Sequence, residues 1–345
     1  RRRAQLDCLL LAHLTKPLAK LDIEVLTALR MGVYQLRFLE RVPAHAAVSE
    51  SVSLVRAARK TSATGMVNAI LRKVMAVEPP STWPDRATAL SMPEWMLRRW
   101  EREFGAERAA GIAEVFLRKP DVYTRLPAGE TPGDYPGLEF AETEVPGCLK
   151  VLKGNPQAAG LRQSDIGSQW VGTLLNAQPG EDVLDLCAAP GNKTAVAAET
   201  GRIAAACDAN FQRLRAMSGE HGPRVQVDAT GPLPFRRPFP RILLDAPCSG
   251  TGTLGRNPEI RWRITPGKLK EFPPIQRAML RNALDLLAPD GVLVYSTCSL
   301  EIEENENIVE DVCHDYEVEM SRRTPGVSPG DGFFAAVIRK PSGRR

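Results

Sequence analysis

Residues 183–194 read VLDLCAAPGNKT, and this stretch decides the fold of the chain. The apolar run at its start predicts a buried strand, and the small residues with Pro and Gly that follow predict a tight loop before a helix. In open α/β sheets ligands bind where strands end, and small residues there let backbone amides approach the ligand. The loop is neither the spaced-glycine dinucleotide fingerprint nor a Walker loop, which favours a nucleoside ligand other than NAD or ATP.

Apolar strands alternate with helical segments through the second half of the chain. The predicted strands are 182–187, 203–208, 225–228, 241–245 and 291–296. The alternation predicts a parallel sheet covered by helices, which is a doubly wound, Rossmann-like α/β domain over residues 161–345.

The first half of the chain has a different pattern. Apolar residues at helical spacing predict an all-α domain over residues 1–80, which ends in a proline-rich linker. Residues 81–160 combine two helical stretches with short extended pieces rich in Pro and Gly, and they predict a small α+β connecting domain.

Composition restricts the class of protein. The 345 residues are 43% hydrophobic and 25% charged with a formal net charge of +4, which is typical of a globular protein and supports nucleic-acid binding only weakly. No apolar run reaches the roughly 18 residues of a membrane span.

Seven cysteines without a Cys-x-x-Cys pair, with only four histidines, predict no zinc site, no disulfides and a cytoplasmic location. Since the first residue is not Met, we expect the native chain to begin earlier.

Acidic residues end several predicted strands. Asp208 ends the second strand, where a carboxylate commonly accepts hydrogen bonds from ribose hydroxyls, and Asp228 ends the third, well placed for an adenine amino group. A lone Asp in such a place is about as often a helix cap. Because acidic residues end successive strands here, ligand binding is favoured over helix capping.

Two cysteines follow the fourth and fifth strands on the same predicted edge, Cys248 in DAPCSGTG and Cys298 in YSTCS. A thiolate can attack carbon 6 of cytosine once nitrogen 3 is protonated or hydrogen-bonded, and carbon 5 then becomes nucleophilic toward a sulfonium methyl donor. Cys298, Asp245 and Cys248 could supply the required sulfur, acid and proton acceptor. A single Cys is more often an inert buried thiol, but two at polar strand ends favour chemistry.

Three blocks of sequence resemble the signature motifs of the RNA cytosine-5 methyltransferase family. They are CAAPGNKT (187–194), DAPCS (245–249) and STCS (296–299). Residues 42–52 and 65–72 are similar to the NusB-like helical domain of the members that act on small-subunit ribosomal RNA. We expect this sequence to lack the first helices of that domain. The resemblance covers nearly the whole chain.

The resemblance implies roles for particular residues. Cys298 would be the nucleophile, and Cys248 would assist release of the methylated base. Asp245 would hold the cytosine edge, and Lys193 would lie near the reacting base. The residues expected to contact S-adenosylmethionine are Cys187, Ala188, Ala189, Pro190, Gly191, Asn192, Lys193, Asp208, Arg213, Asp228 and Asp245. The implied activity is methylation of cytosine carbon 5 in small-subunit (16S) ribosomal RNA. Separately, nothing in the sequence demands a partner subunit or a metal ion, so we expect a monomer without metal.

Two features depart from the family pattern. Asn192 stands where the family usually has a second Gly, and only twenty positions separate Asp208 from Asp228. Both departures bear on the contacts to the adenosine part of the cofactor.

Residues 256–263, RNPEIRWR, place cations around a Trp between the two cysteine loops. Such a composition suits phosphate contact and base stacking, so we predict that this segment grips RNA near the target base and that replacing Arg261 and Arg263 together weakens RNA binding. The alternative is a solvated loop whose Trp packs on the domain. The basic tail 339–345 could add to a basic face.

Three other functions compete with this interpretation. DNA cytosine-5 methylation uses a nucleophile that follows Pro, as Cys248 does, whereas the RNA enzymes place theirs where Cys298 follows Thr. Transfer RNA could replace ribosomal RNA as the substrate. A non-catalytic RNA-binding module would fit the NusB-like domain but would leave both cysteines unused, and a cofactor-binding assay would separate it from an enzyme.

Overall fold

Helices build the first unit, Arg1–Leu117, of a computed structural model that describes residues 1–217, 219 and 221–341. They are α1 (Arg3–Leu11), α2 (Ile23–Phe38), α3 (Ala44–Ala57), α4 (Thr64–Ala76), α5 (Arg86–Leu90), α6 (Glu94–Phe104) and α7 (Ala106–Val115). The predicted all-α start of the chain is therefore confirmed. Residues 342–345 of the basic tail lie outside the described residues.

Helix α4 shows why these segments pack together. Its buried residues recur at i, i+3, i+4 and i+7 and so form one apolar face: Val67, Ile70, Leu71 and Val74. Helix α2 approaches this face closely, because a Cβ added at Gly32 would meet Leu71 Cδ1 and Ser51 Oγ at 2.7 Å. A larger side chain at position 32 would separate α2 from α3 and α4.

The second unit, Arg118–Arg345, begins with a small antiparallel sheet. Its strands are β1 (Val122–Thr124), β2 (Glu139–Glu142) and β3 (Leu149–Lys153), with β3 in the middle. The predicted division into domains at residues 80 and 160 stays a prediction.

The rest of the second unit is a sheet with helices on both faces. Its strands are β4 (Asp182–Asp185), β5 (Arg202–Asp208), β6 (Arg224–Gln226), β7 (Phe239–Asp245), β8 (Leu287–Thr297), β9 (Glu317–Arg323) and β10 (Phe333–Arg339). Its helices are α8 (Ile166–Leu174), α9 (Asn192–Ala197), α10 (Phe211–Arg215), α11 (Ile260–Arg263), α12 (Pro266–Leu269), α13 (Phe272–Asp285) and α14 (Glu306–Val312). The strand order is β6-β5-β4-β7-β8-β10-β9, which confirms the doubly wound fold.

The sheet is mixed, whereas the sequence predicted a parallel one. Strands β4 to β8 are parallel, but β10 runs antiparallel to β8, and β9 runs antiparallel to β10. Strand β10 is buried from Phe333 to Ile338, so its sequence shows the continuous apolar run of a central strand and carries no sign of its direction.

Successive residues of the central strands point to opposite faces and bury two cores. Leu244 and Tyr295 cluster with residues of α13 on one face, and Leu243 and Val294 cluster with residues of α8 on the other. Both faces are therefore covered, and polar groups are concentrated at the strand ends. Within the described residues, no helix has the length and apolar character to cross a membrane.

Candidate active site

Three neighbouring parallel strands bring the predicted motifs to one edge of the sheet. Strand β7 lies between β4 and β8, with Asp185 in register with Leu243 and Asp245 in register with Ser296. The loops that follow β4, β7 and β8 therefore leave the sheet side by side at its carboxyl edge, where ligands bind in this architecture.

The loop between β4 and α9 forms a tight turn. The Ala188 N–H donates to the carbonyl of Cys207, at 2.7 Å, which joins the loop to β5. Gly191 closes the turn with φ +95°, a left-handed conformation that favours glycine. Asn192 is the first residue of α9 and needs no left-handed backbone, which explains in physical terms how it replaces the family's second Gly.

Two arginines fasten this loop from outside. The Arg213 guanidinium donates to the carbonyl of Ala189, and Arg162 Nη1 donates to the carbonyl of Gly191 at 3.3 Å. Arg213 thus holds the loop that is predicted to bind the cofactor, and its own contact with the cofactor stays a prediction.

The two acidic residues predicted to bind adenosine lie in different surroundings. Asp208, at the end of β5, is buried. Its Oδ1 accepts the Asn210 N–H at 2.8 Å, and its Oδ2 lies 3.7 Å from Arg213 Nη1. Asp228 lies two residues past the end of β6, is exposed, and accepts both the N–H and the hydroxyl of Thr230. Asp208 suits a ribose hydroxyl, whereas Asp228 stabilises a turn, and any adenine contact of Asp228 stays a prediction.

Asp185, at the end of β4, has a buried carboxyl group that contacts the loop between β4 and α9. It accepts hydrogen bonds from Thr194 Oγ1 at 2.7 Å and from the Cys187 N–H at 3.2 Å. Burial outweighs these hydrogen bonds and raises the pKa of Asp185 to about 7. The group therefore exchanges its proton near neutral pH.

The stability of the protein should depend on this proton. Because the folded-state pKa of Asp185 is raised, its contribution to stability is present at low pH and is lost as pH rises through about 7. Between about pH 5.5 and about pH 8.5 we expect a loss of about 2 kcal/mol in the wild type that Asp185→Asn does not show. Urea unfolding at the two pH values measures it. Asp228→Asn is the control, since the pKa of Asp228 is lowered; equal pH slopes in the wild type and Asp185→Asn would contradict the assignment.

The two cysteines predicted to react lie in contact. Cys248 Sγ and Cys298 Sγ are 3.3 Å apart, and both are free thiols. The hydrogen bond to Cys298 and burial raise the pKa of Cys248 well above its ordinary value. Cys248 is therefore a protonated thiol that can donate its hydrogen to the sulfur of Cys298.

A half-buried ion pair interacts electrostatically with the two cysteines. Lys193 Nζ is 2.7 Å from Asp245 Oδ2, and Asp245 Oδ1 accepts the hydroxyl of Ser296 at 2.8 Å. Burial opposes the charge of Lys193, but Asp245 and a negative charge on Cys298 together raise its pKa. Lys193 therefore remains an ammonium group that is paired with the Asp245 carboxylate. The structure thus brings together all four residues predicted to act in the reaction.

A buried carboxylate that the sequence analysis missed joins the two cysteine loops. Glu304 is 1% exposed and accepts hydrogen bonds from the Ser249 N–H and the Ser299 hydroxyl, each at 2.8 Å. Its only sequence signal is its place in the acidic run that follows Cys298, and such a run is usually a solvated surface. Contacts across 55 residues bury it here.

The predicted RNA-gripping role of Arg261 is wrong. Its side chain is fully buried and donates to the carbonyl of Leu254 at 3.1 Å, so it supports the loop after β7 and cannot contact phosphate. Arg263 is exposed and Trp262 is half-buried. The predicted phosphate contact of Arg263 and base stacking by Trp262 stay predictions.

Arg256, the first cation of the same segment, is also used inside the protein. It is 2.7 Å from a carboxylate oxygen of Asp165, which caps α8, and 2.9 Å from one of Asp331, which precedes β10. Both carboxylates are almost fully buried. The contact ties the loop after β7 to the rest of the domain.

The carboxyl edge fits S-adenosylmethionine. The loop after β4 consists mainly of small residues whose backbone a ligand can approach. Asp208 Oδ2, at the end of the next strand, accepts no hydrogen bond from the residues that the structure describes. A ribose supplies hydroxyl donors for such an oxygen. Across the described ranges, no cluster of three or more His, Cys, Asp or Glu side chains is arranged to hold a metal ion. Fold and site together define an S-adenosylmethionine-dependent methyltransferase.

Comparison with known proteins narrows the class to one family. The family model for "16S rRNA methyltransferase RsmB/F" matches residues 172–339, and the NusB family model matches residues 1–76. The probable ribosomal RNA small subunit methyltransferase B of Synechocystis sp. is 31% identical over 99% of this chain and 88% of that protein. The ribosomal RNA small subunit methyltransferase B of Thermus thermophilus is 33% identical over 87% of this chain and 73% of that protein.

A solved structure agrees with the fold. The crystal structure of PH0851 matches with a TM-score of 0.84 and 23% identity, over 98% of this chain and 87% of that chain. At this identity the likeness shows the fold alone. With the sequence matches above, the chain belongs to the ribosomal RNA small subunit methyltransferase B family.

Proposed function

We propose that this protein methylates carbon 5 of a cytosine in small-subunit ribosomal RNA through a covalent adduct with Cys298. The observation that carries the proposal is the 3.3 Å contact between Cys298 and Cys248 beside the Lys193–Asp245 ion pair. A methyltransferase that acts on an already nucleophilic nitrogen or oxygen has no use for paired thiols, whereas carbon 5 of cytosine needs one to activate it. The relatives named above are ribosomal RNA methyltransferases, which supports this substrate.

In the first step the Cys298 thiolate forms a bond to carbon 6 of the base. The carbon 5–carbon 6 π electrons move toward carbon 5, and Lys193 can donate a hydrogen bond to the edge of the ring that gains negative charge. Asp245, held by Ser296, fixes the ammonium of Lys193 and can accept the cytosine amino group. S-adenosylmethionine, when bound, supplies the methyl group that carbon 5 takes up.

Release of the product requires Cys248. Once Cys298 is bonded to carbon, it no longer accepts the hydrogen bond that contributes most to the raised pKa of Cys248. Cys248 can then lose its proton to water and remove the proton from carbon 5. The electrons of that carbon–hydrogen bond restore the carbon 5–carbon 6 double bond, and the Cys298 thiolate leaves.

The test is methylation of unmodified bacterial 16S ribosomal RNA with labelled S-adenosylmethionine, followed by mapping of 5-methylcytosine. We expect one or few cytosines to be modified. Label in transfer RNA instead would change the substrate and keep the chemistry. Binding of RNA without any methyl transfer would favour the non-catalytic alternative and overturn the proposal. The monomeric state and the cytoplasmic location stay predictions.

Recognition of the RNA is proposed to involve the exposed Arg263. Replacing it with Ala should weaken RNA binding several-fold and lower the salt dependence of binding by about one counterion. The measurement is RNA affinity over a series of salt concentrations. Arg215→Ala on α10, another exposed arginine, is the matched control; the same loss in both variants would show a general charge effect instead of a contact at position 263.

A further inference from the structure

Glu304 is a carboxylate buried among neutral groups. Its donors are the Ser249 N–H, the Ser299 hydroxyl and, at 3.1 Å, the Gln276 carboxamide. Burial raises the pKa of Glu304 while these hydrogen bonds oppose the shift. A buried carboxylate destabilises a fold unless its oxygens accept hydrogen bonds. The presence of Glu304 at this position therefore suggests that it has a role.

The donors to Glu304 are the residues that follow the two reactive cysteines. Ser249 follows Cys248 in the loop after β7, and Ser299 follows Cys298 in the loop after β8. The two oxygens of a single carboxylate therefore bridge the loops, Oε2 to the first and Oε1 to the second.

Further contacts make the bridge rigid. Gln276 Nε2 also donates to the carbonyl of Pro247 at 3.0 Å, so the residues on both sides of Cys248 are held. The Tyr295 hydroxyl donates to the main-chain carbonyl of Glu304 at 2.7 Å, which fixes that residue to β8. The Gly252 N–H donates to the carbonyl of Cys298 at 2.9 Å and joins the same loops a second time.

We propose that Glu304 is a positioning residue that sets the spacing of the Cys248 and Cys298 sulfurs and thereby the rate at which the methylated base is released. This inference rests on the proposed function for its catalytic consequence. The geometric part, the spacing of the sulfurs, does not depend on any substrate.

The charge of Glu304 acts on the protonation of Cys248, which is a separate effect from the spacing of the two sulfurs. Besides Cys298 and burial, the negative charges of Glu304 and Asp245 contribute to the raised pKa of Cys248. Tyr295 also interacts electrostatically with Cys248, Glu304 and Asp245, and Lys193 pairs with Asp245. Glu304 thus keeps Cys248 protonated while Cys298 reacts.

Two substitutions of Glu304 test the length of its side chain and its negative charge separately. Glu304→Gln keeps the length of the side chain, and its carbonyl can still accept from Ser249 and Gln276, but its amide cannot accept the Ser299 hydroxyl. Glu304→Asp keeps the charge and is one methylene too short to reach both loops. Glu310→Gln, an exposed position on α14, removes the same charge without touching either loop and is the control.

The first measurement uses the free protein with diamide, an azo compound that is reduced to its hydrazine as two thiols lose their hydrogens and form a disulfide. The wild type and Glu310→Gln should form the Cys248–Cys298 disulfide at the same rate, measured by mass spectrometry. Both Glu304 variants should be slower by about tenfold or more, since small displacements of reacting groups reduce such rates strongly. Alkylation of Cys148 provides an internal check that the fold is intact.

The second measurement follows RNA methylation by the same variants. We expect kcat to fall by up to about 100-fold with KM for S-adenosylmethionine nearly unchanged, and the covalent protein–RNA adduct to persist longer than in the wild type. A merely structural role would change KM and thermal stability together with kcat. If Glu304→Gln does not fold, Ser299→Ala removes one of the two ties and should show the same slowing.

The outcomes distinguish this inference from the proposed function. Wild-type disulfide rates and wild-type turnover in Glu304→Gln and Glu304→Asp would overturn it. Slow disulfide formation in the variants, combined with no methylation by the wild type, would support the positioning role and refute the proposed reaction.

Discussion

Replacing Cys298 with Ala is expected to abolish RNA methylation, with a fall of at least about 10⁴-fold in single-turnover rate, because the proposed reaction has no other route to activate carbon 5. Cys248 is a poor substitute. Even without Cys298, burial and the charges of Glu304 and Asp245 hold the pKa of Cys248 above its ordinary value. The measurement is transfer of labelled methyl groups with protein in excess over RNA.

The control for this experiment is binding of S-adenosylmethionine. Cys298 follows β8, whereas the loop predicted to hold the cofactor follows β4, so affinity for the cofactor should be unchanged. Cys148→Ala removes another buried thiol of the same unit, outside the three loops, and should methylate like the wild type. Normal activity in Cys298→Ala would transfer the role of nucleophile to another residue, with Cys248 the first to test.

The central part of the fold was predictable because its signals are local. The strands β4, β5, β7 and β8 are apolar runs that end in polar or small residues, and each was predicted within a few positions of its observed bounds. Strands β9 and β10 were not among the predicted strands, and the direction of β10 was not predictable. A strand buried on both faces has no periodicity, and only its pairing with β8 defines its orientation.

The same distinction applies to the site. Cys248, Cys298, Asp245 and Lys193 could be predicted since each lies in a short motif at a strand end. Glu304 could not, because its role follows from contacts with residues up to 55 positions away.

The arginines of residues 256–263 show that the burial of a charged side chain cannot be predicted from its local sequence. Arg256 and Arg261 lie in a basic stretch that looks like a solvated RNA-binding loop. One is paired with two buried aspartates, and the other is fully enclosed. An arginine that serves a loop internally has the same local pattern as one that faces RNA, and only the tertiary structure separates them.

Replacing Cys248 with Ala should give the opposite phenotype to the loss of Cys298. Cys298 can still add to the base and carbon 5 can still take the methyl group, but the proton on carbon 5 has lost its acceptor. We expect turnover to fall by about 100-fold or more, the range for loss of a general base, while most of the protein accumulates as a covalent RNA adduct. Denaturing electrophoresis with labelled RNA measures the adduct.

The double variant, with Ala at both positions, decides whether the adduct has the proposed chemistry. The double variant should form no adduct, because the bond to RNA is made by Cys298 alone. Without S-adenosylmethionine, Cys248→Ala should form little stable adduct, because addition to carbon 6 is then reversible. Rapid turnover in Cys248→Ala would show that water or another group removes the proton. In that case the 3.3 Å contact between the sulfurs would serve mainly to orient Cys298 before it attacks.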